Sequence, residues 1–199
     1  MRIRILFCLL CLLAPLVRAT SVVPPNFPEL VAEADAIYRG RVTSVESRRV
    51  ERPNGGNVIK TFVTIAIDRV LKGATENSVT LEFLGGTIGE ETLDVSGMPK
   101  FTVGQAGIVF VQQNGRQFCP LVRLAHGSYR IERDHATDRD YVARYNHAPL
   151  RDVAEVEAPL EETTTDAAAA DISRALSPSA FETRIVNEVR TPTLTARPN

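Results

Sequence analysis

The sequence predicts a mainly β protein, a small closed or nearly closed β-barrel with a short N-terminal helix and a tethered C-terminal amphipathic helix. Three observations carry this. Two long extended runs, about Ala36 to Ser47 and Val58 to Leu71, flank the turn-forming stretch Pro53-Asn54-Gly55-Gly56-Asn57. Shorter apolar runs separated by glycine and asparagine turns continue as far as Arg133. Windows with helical periodicity are few, as expected of a small barrel.

Each element has a local reason. Asn26-Phe27-Pro28-Glu29 is a helix start, with Asn26 as N-cap and Glu29 three residues on to complete a capping box. Leu30, Val31 and Ala34 would face inward, and the helix should stop near Asp35. In the first strand Tyr38, Gly40 and Val42 share a face while Val45 falls on the other, so the alternation slips; Gly40 is the natural place for a bulge. The second strand carries apolar residues on both faces, which places it centrally. Ser78 to Leu84 and about Thr92 to Val95 read as further strands, joined by the glycine-rich loop Gly85-Gly86-Thr87-Ile88-Gly89. Ile108 to Gln113 is a strongly apolar strand. Asn114-Gly115 then predicts a tight hairpin into Arg116 to Val122, and Ser128 to Arg133 reads as the last strand.

Beyond Asp134 the residues turn polar and mixed, and Glu161 to Ala170 is low-complexity, which reads as a tether. A final helix follows. Ser177 or Ser179 can cap it, Ser179 with Glu182 could form a second capping box, and Phe181, Ile185 and Val189 recur at helical spacing with Val186 beside them. The expected organisation is a signal peptide over 1–19, a barrel over 20–133, a linker over 134–176, a helix over 177–190 and a disordered tail over 191–199.

The first residues have the three parts of a secretory signal: Arg2 and Arg4, an apolar run from Ile5 to Val17, and a Val17-Arg18-Ala19 cleavage site. As a helix that run would rise only about 20 Å, short of the roughly 30 Å hydrocarbon core of a bilayer. Phe7 and Leu10 precede Cys8 and Cys11 where lipid modification would want small residues. Cleavage would leave 20 of the 23 basic residues against 24 acidic ones, net −4, and Cys119 as the one thiol. A mildly acidic chain has no electrostatic reason to hold nucleic acid. With one cysteine, an apolar core must replace disulfides. The expectation is therefore an exported protein, periplasmic or extracellular, with no transmembrane span after signal cleavage.

No motif assigns a chemistry. The Gly85 to Gly89 cluster follows a strand as a phosphate loop would, but lacks the Lys-Ser/Thr ending, is followed by Glu90-Glu91, and leads into a strand. His126, His135 and His147 show no metal-ligand spacing, although Asp134, His135, Asp138, Asp140 and His147 could converge on a cation. Ser96 and Ser128 sit beside glycines outside any nucleophile-elbow pattern. Cys119, between Phe118 and Pro120, reads as a buried small hydrophobe. No catalytic residue, metal ligand or cofactor is assigned.

Several short motifs look familiar together: AD-x-I-x-x-G-x-V over Ala34 to Val42, LKG at Leu71 to Gly73, VTL at Val79 to Leu81, and F-x-V-G over Phe101 to Gly104. Their order resembles bacterial modules of the netrin-like or tissue-inhibitor-of-metalloproteinase type. It is also similar to uncharacterised exported bacterial proteins with PP-x-F, here Pro24 to Phe27, and GMP-x-F, here Gly97 to Phe101. The resemblance spans about Pro24 to Arg133 and implies an OB-like barrel. The animal inhibitors begin with a zinc-chelating cysteine and are disulfide-rich, whereas this chain should begin Thr20-Ser21-Val22 once processed; no inhibitory residue carries over.

The resulting expectation is an exported, non-enzymatic binding module for an unknown protein or glycan of the cell envelope or exterior. Its candidate partner-binding loops are Gly85, Gly86, Thr87 and Gly89 with Met98, Pro99 and Phe101, because OB-like barrels bind with one face and its bordering loops. The alternatives are a metalloprotease-inhibitor-like protein and a structural envelope scaffold. Behind these stands an envelope hydrolase, which would need a histidine to meet carboxylates in one cleft.

Overall fold

A computed structural model describes residues 22–160 and 172–192. The expected signal peptide and its cleavage site, the low-complexity stretch and most of the tail lie outside the described residues. Among those described are two α-helices and eight strands. They are α1 (Phe27–Glu33), β1 (Ala36–Glu51), β2 (Asn57–Lys72), β3 (Ser78–Leu84), β4 (Gly86–Ile88), β5 (Glu91–Leu93), β6 (Ala106–Val111), β7 (Ser128–Asp134), β8 (Arg139–Arg144) and α2 (Pro178–Arg190). The protein is mainly β. No helix among the described residues is long and apolar enough to cross a membrane.

Six strands form one antiparallel sheet in the order β3-β2-β1-β6-β7-β8, and β4 and β5 form a separate hairpin. β1 and β2 are 16 residues each, about 50 Å long at some 3.3 Å per residue. β6 pairs with β1 only over Ala36 to Arg41, so the far half of the β1–β2 hairpin extends past the rest of the sheet as an arm. The register shifts at Arg39/Gly40, where a Cβ on Gly40 would collide with the Ala66 carbonyl. This is the bulge that glycine in mid-strand permits.

Both faces of the sheet are covered. On one, Ile37, Ile108, Phe110, Tyr129 and Val142 pack against α1, α2 and a 3-10 turn at Val153–Glu157. On the other, Tyr38, Val42, Val63, Ile65, Leu81, Phe83 and Val109 pack among themselves and against Cys119, Leu121, Met98 and Phe101. Cys119 is buried, which pushes its thiol up to about 11. The α1 capping box is complete: Asn26 accepts from the Glu29 N–H at 2.8 Å, and the Glu29 carboxylate accepts from the Asn26 N–H at 3.2 Å.

Three sequence expectations change. Arg116 to Val122 is a loop touching β6 through one bridge, Val111 to Leu121. The Asn114 amide that signalled a hairpin works outward instead. It accepts from the Glu82 N–H at 3.0 Å and donates to the Thr80 carbonyl at 2.8 Å, both on the outer edge of β3. The Phe118 carbonyl accepts from the Leu84 N–H beside them, at 2.8 Å.

Second, the stretch after Asp134 read as linker contains β8, and Tyr141, Val142, Ala143, Leu150 and Val156 within it are buried. β7 is therefore not the last strand.

Third, α2 docks. Ser177 caps it, accepting from the Ala180 N–H at 3.2 Å. The Ser179–Glu182 box does not form, because the Glu182 carboxylate accepts from Arg39 at 2.7 Å and Arg69 at 2.6 Å, on facing positions of β1 and β2. Phe181 and Ile185 are wholly buried, the Phe181 ring lying 5.0 Å from Tyr129 and 6.0 Å from Phe27.

Candidate functional site

Six of the seven residues singled out from sequence line one cleft of about 380 Å³: Gly85, Gly86, Thr87, Met98, Pro99 and Phe101. The seventh, Gly89, sits at the tip of the β4–β5 hairpin with open space around it. The cleft lies between the arm of β1 and β2 on one side and the 85–101 segment on the other.

Its floor is apolar. Val63 and Phe83 are buried there, and the Phe101 ring stands 5.4 Å from that of Phe83. Its walls carry hydroxyls in a short chain. Ser47 and Thr61 share a hydrogen bond of 3.1 Å, and Thr61 donates to the Gly85 carbonyl at 2.7 Å. Thr87 and Thr92 pair across the β4–β5 hairpin at 3.0 Å.

The two glycines have a packing reason. A Cβ on Gly86 would collide with the hydroxyls of Ser47 and Thr61, and its φ of +133° is one that side chains rarely adopt. Gly85, at φ +101°, would bring a Cβ within 2.7 Å of the Leu93 carbonyl. This strand-to-hairpin crossing is thus pressed onto the arm by glycine, and Arg49 of β1 reinforces it by pairing with Glu91 of β5.

Met98 to Phe101 is held from below. The Met98 N–H donates to the Val95 carbonyl at 3.2 Å, and the Lys100 N–H donates to the Tyr145 hydroxyl at 2.9 Å. Among the described residues, Asp94 and Lys100 are the only ionisable side chains lining the cleft. Both are exposed, and neither forms an ion pair within 4.0 Å among the described residues. Sequence reading missed Ser47, Thr61, Asp94 and Lys100. The two hydroxyls lie in strands whose register alone brings them opposite each other.

The polar run after β7 does not gather around a common centre. Asp138 and Asp140 bind Arg133 at 2.7 and 2.9 Å, and His147 lies 2.6 Å from Glu132. No group of three or more potential metal-ligating side chains occurs among the described residues. His126 stands apart from that run, buried in a 3-10 turn. Burial, with Arg144 and Arg123 nearby, pushes its imidazole down to about 4.

No protein-family model matches this chain, and no curated protein matches it either.

Proposed function

We propose that the chain is an exported, non-enzymatic binding module built as a small OB-like β-barrel, and that its site is the cleft between the β1–β2 arm and the 85–101 segment. The bonds from Asn114 and Phe118 to the outer edge of β3 support the barrel reading, because they link the chain leaving β6 back to the far edge strand.

The observation that carries the binding reading is the lining of the cleft. It offers an apolar floor, hydroxyl walls and two rim charges of opposite sign with no ion-pair partner among the described residues. The Ser47 and Thr61 hydroxyls are tied together, and Thr61 donates to the Gly85 carbonyl, so both are engaged in holding the cleft's wall. Such a lining suits a protein side chain or a sugar ring of the envelope or exterior. The free charges Asp94 and Lys100 set orientation more than affinity.

The test is affinity capture from the organism's own secreted and envelope fractions, with a glycan array in parallel. Wild type is compared with the exposed-rim double variant Asp94→Lys/Lys100→Glu. Capture by wild type and loss by a folded variant is the expected result. Equal capture by both would move the site elsewhere, and turnover of any substrate by the pure protein would overturn the non-enzymatic reading.

A further inference from the structure

A second concavity, of about 680 Å³, lies behind Met98, which it shares with the cleft already described. It falls within the roughly 300–1,000 Å³ typical of small-ligand sites. Its walls are mostly aliphatic: Val22, Val23, Pro24, Met98, Leu124 and Leu160. Val23 is 55% exposed, so this wall is open to solvent.

The polar end of the groove has a single sign. Arg123 and His126 line it, and among the described residues no carboxylate does. Arg123 is neutralised by Glu33 of α1, which accepts two bonds at 3.0 and 2.6 Å. Arg144, behind His126, is 6% exposed and has no ion-pair partner among the described residues. Its guanidinium instead donates to the Ala158 carbonyl and, at 3.2 Å, to that of Pro159. It therefore fixes the wall that ends in Leu160 and leaves a buried positive charge with no carboxylate within ion-pair distance among the described residues, Glu155 acting on it from farther off.

His126 is 8% exposed and lines the groove, and its imidazole makes no side-chain hydrogen bond among the described residues. Its ring nitrogens are therefore free to bond a ligand in the groove. The backbone presenting it is also unusual: Arg123 and Leu124, neither of them glycine, take φ of 50° and 59° in succession. Left-handed residues of this kind cluster at ligand sites.

We propose that this groove binds one monomeric anionic amphiphile, a fatty-acid carboxylate, with its chain along the Val22–Pro24 and Leu124 wall and its head on His126 in the field of Arg144. The apolar wall supplies burial for an alkyl chain. The imidazole supplies the head-group hydrogen bond. The cationic side of the groove, Arg123 in its lining and Arg144 behind it with no carboxylate in the lining among the described residues, supplies the charge complementarity that a neutral or cationic amphiphile lacks. This inference is independent of the cleft reading, since Asp94 and Lys100 do not line the groove.

The experiment is calorimetric titration of the full chain, as the cell processes it, with dodecanoate and with dodecyltrimethylammonium below their micellar concentrations. Dodecanoate is expected to bind once, saturably, and at least about tenfold more tightly than the cation of equal chain length. Val23→Asp, at an exposed position, is expected to weaken dodecanoate about tenfold or more by placing a like charge and a polar group on the chain's path. His126→Gln, if folded, keeps a donor and should bind better than His126→Leu, which loses about tenfold. Absence of saturable binding, equal affinity for the two amphiphiles, or indifference to Val23→Asp would each overturn the proposal. So would binding to anionic phosphatidylglycerol vesicles without binding to monomeric dodecanoate, which would assign the surface to membranes.

Discussion

The two ends of the long β1–β2 hairpin are built differently. Near Arg39 and Arg69 the hairpin is the middle of a six-stranded sheet, clad by α2 and clasped to it by the buried Glu182. From Val42 outward β1 has only β2 for a full ladder partner, and its residues are mostly exposed. There the contacts are those of a surface: Arg48 over the Phe62 ring at 4.0 Å, Lys60 with Glu82 at 3.0 Å, and Arg49 with Glu91. Exposed pairs of this kind are worth at most about 1 kcal/mol each. One strand pair thus serves as core at one end and as the wall of an open cleft at the other. The difference is also written in β1 itself, apolar at Ala36, Ile37, Tyr38 and Val42 and mostly polar from Thr43 to Glu51.

The clad end should dominate stability. Phe181→Asp removes a wholly buried ring from among Phe27, Phe110 and Tyr129 and buries a carboxylate in its place. A loss of about 4 kcal/mol or more is expected, read by chemical denaturation; unchanged stability would mean that α2 does not contribute to the fold in solution. Next comes Glu182→Ala, which leaves Arg39 and Arg69 facing each other. Removing one partner of a buried pair costs about 3–5 kcal/mol, but Arg39 and Arg69 are 32% and 63% exposed and stay partly hydrated. About 2 kcal/mol is therefore expected. A Glu182→Ala variant as stable as wild type would show that apolar packing alone docks the helix.

His126 makes the same end sensitive to acid. Its imidazole is held down at about 4 against an ordinary 6.5, mainly by burial, so the unfolded chain takes up the proton first as pH falls. Its contribution is complete above pH 6.5 and is lost progressively toward pH 4, a loss of about 3 kcal/mol. His126→Gln should flatten that part of the stability profile relative to wild type; parallel profiles would show the imidazole to be accessible to protons in the folded state.

At the open end the expected effects shrink and become local. Gly86→Ala forces a Cβ into the Ser47 and Thr61 hydroxyls at a φ of +133° and should cost about 2 kcal/mol. Gly89→Ala meets no neighbour and takes φ +59°, so about 1 kcal/mol is expected. Equal effects at the two positions would remove the packing argument for the glycine-rich crossing.

Local signals were legible where one element satisfies itself. The Asn26–Glu29 box, the Gly40 bulge, the alternation of β2 and the Phe181–Ile185 stripe all depend on residues a few positions apart. The misread elements have side chains recruited from a distance. Asn114 pairs with β3, more than 30 residues earlier in sequence, and not with its own turn. Glu182 leaves its helix N-terminus for two strand arginines. β8 was hidden because Arg139, Asp140 and Arg144 make it look like polar linker. Yet Arg139 donates to the carbonyls of Ile172, Ser173 and Ala175, and Asp140 pairs with Arg133. The same limit applies to the cleft. Its glycines stood out in the sequence, whereas Ser47 and Thr61 are ordinary strand residues until the register sets them side by side.

The last expected effect, as small as that of Gly89→Ala, is the one most specific to the barrel reading. β3 is an edge strand, and an unprotected edge invites pairing with another chain. On the opposite edge, β8 is covered by Leu176 and Leu150, whose backbones bond Val142 at 2.8 and 2.9 Å. On β3 that protection comes from a single amide and one loop carbonyl. Asn114→Ala removes two exposed hydrogen bonds that water can partly replace, so a loss of only about 1 kcal/mol is expected. The sharper readout is amide exchange. The Glu82 N–H, which donates to the Asn114 side chain, should lose protection, while Leu81 and Phe83, whose backbones face β2, should keep theirs. If β3 loses protection as a whole, or the variant begins to self-associate, the Asn114 bridge is what keeps the edge closed. If the Glu82 amide exchanges as in wild type, the bridge contributes nothing in solution, and the sheet is open between β3 and the chain that leaves β6.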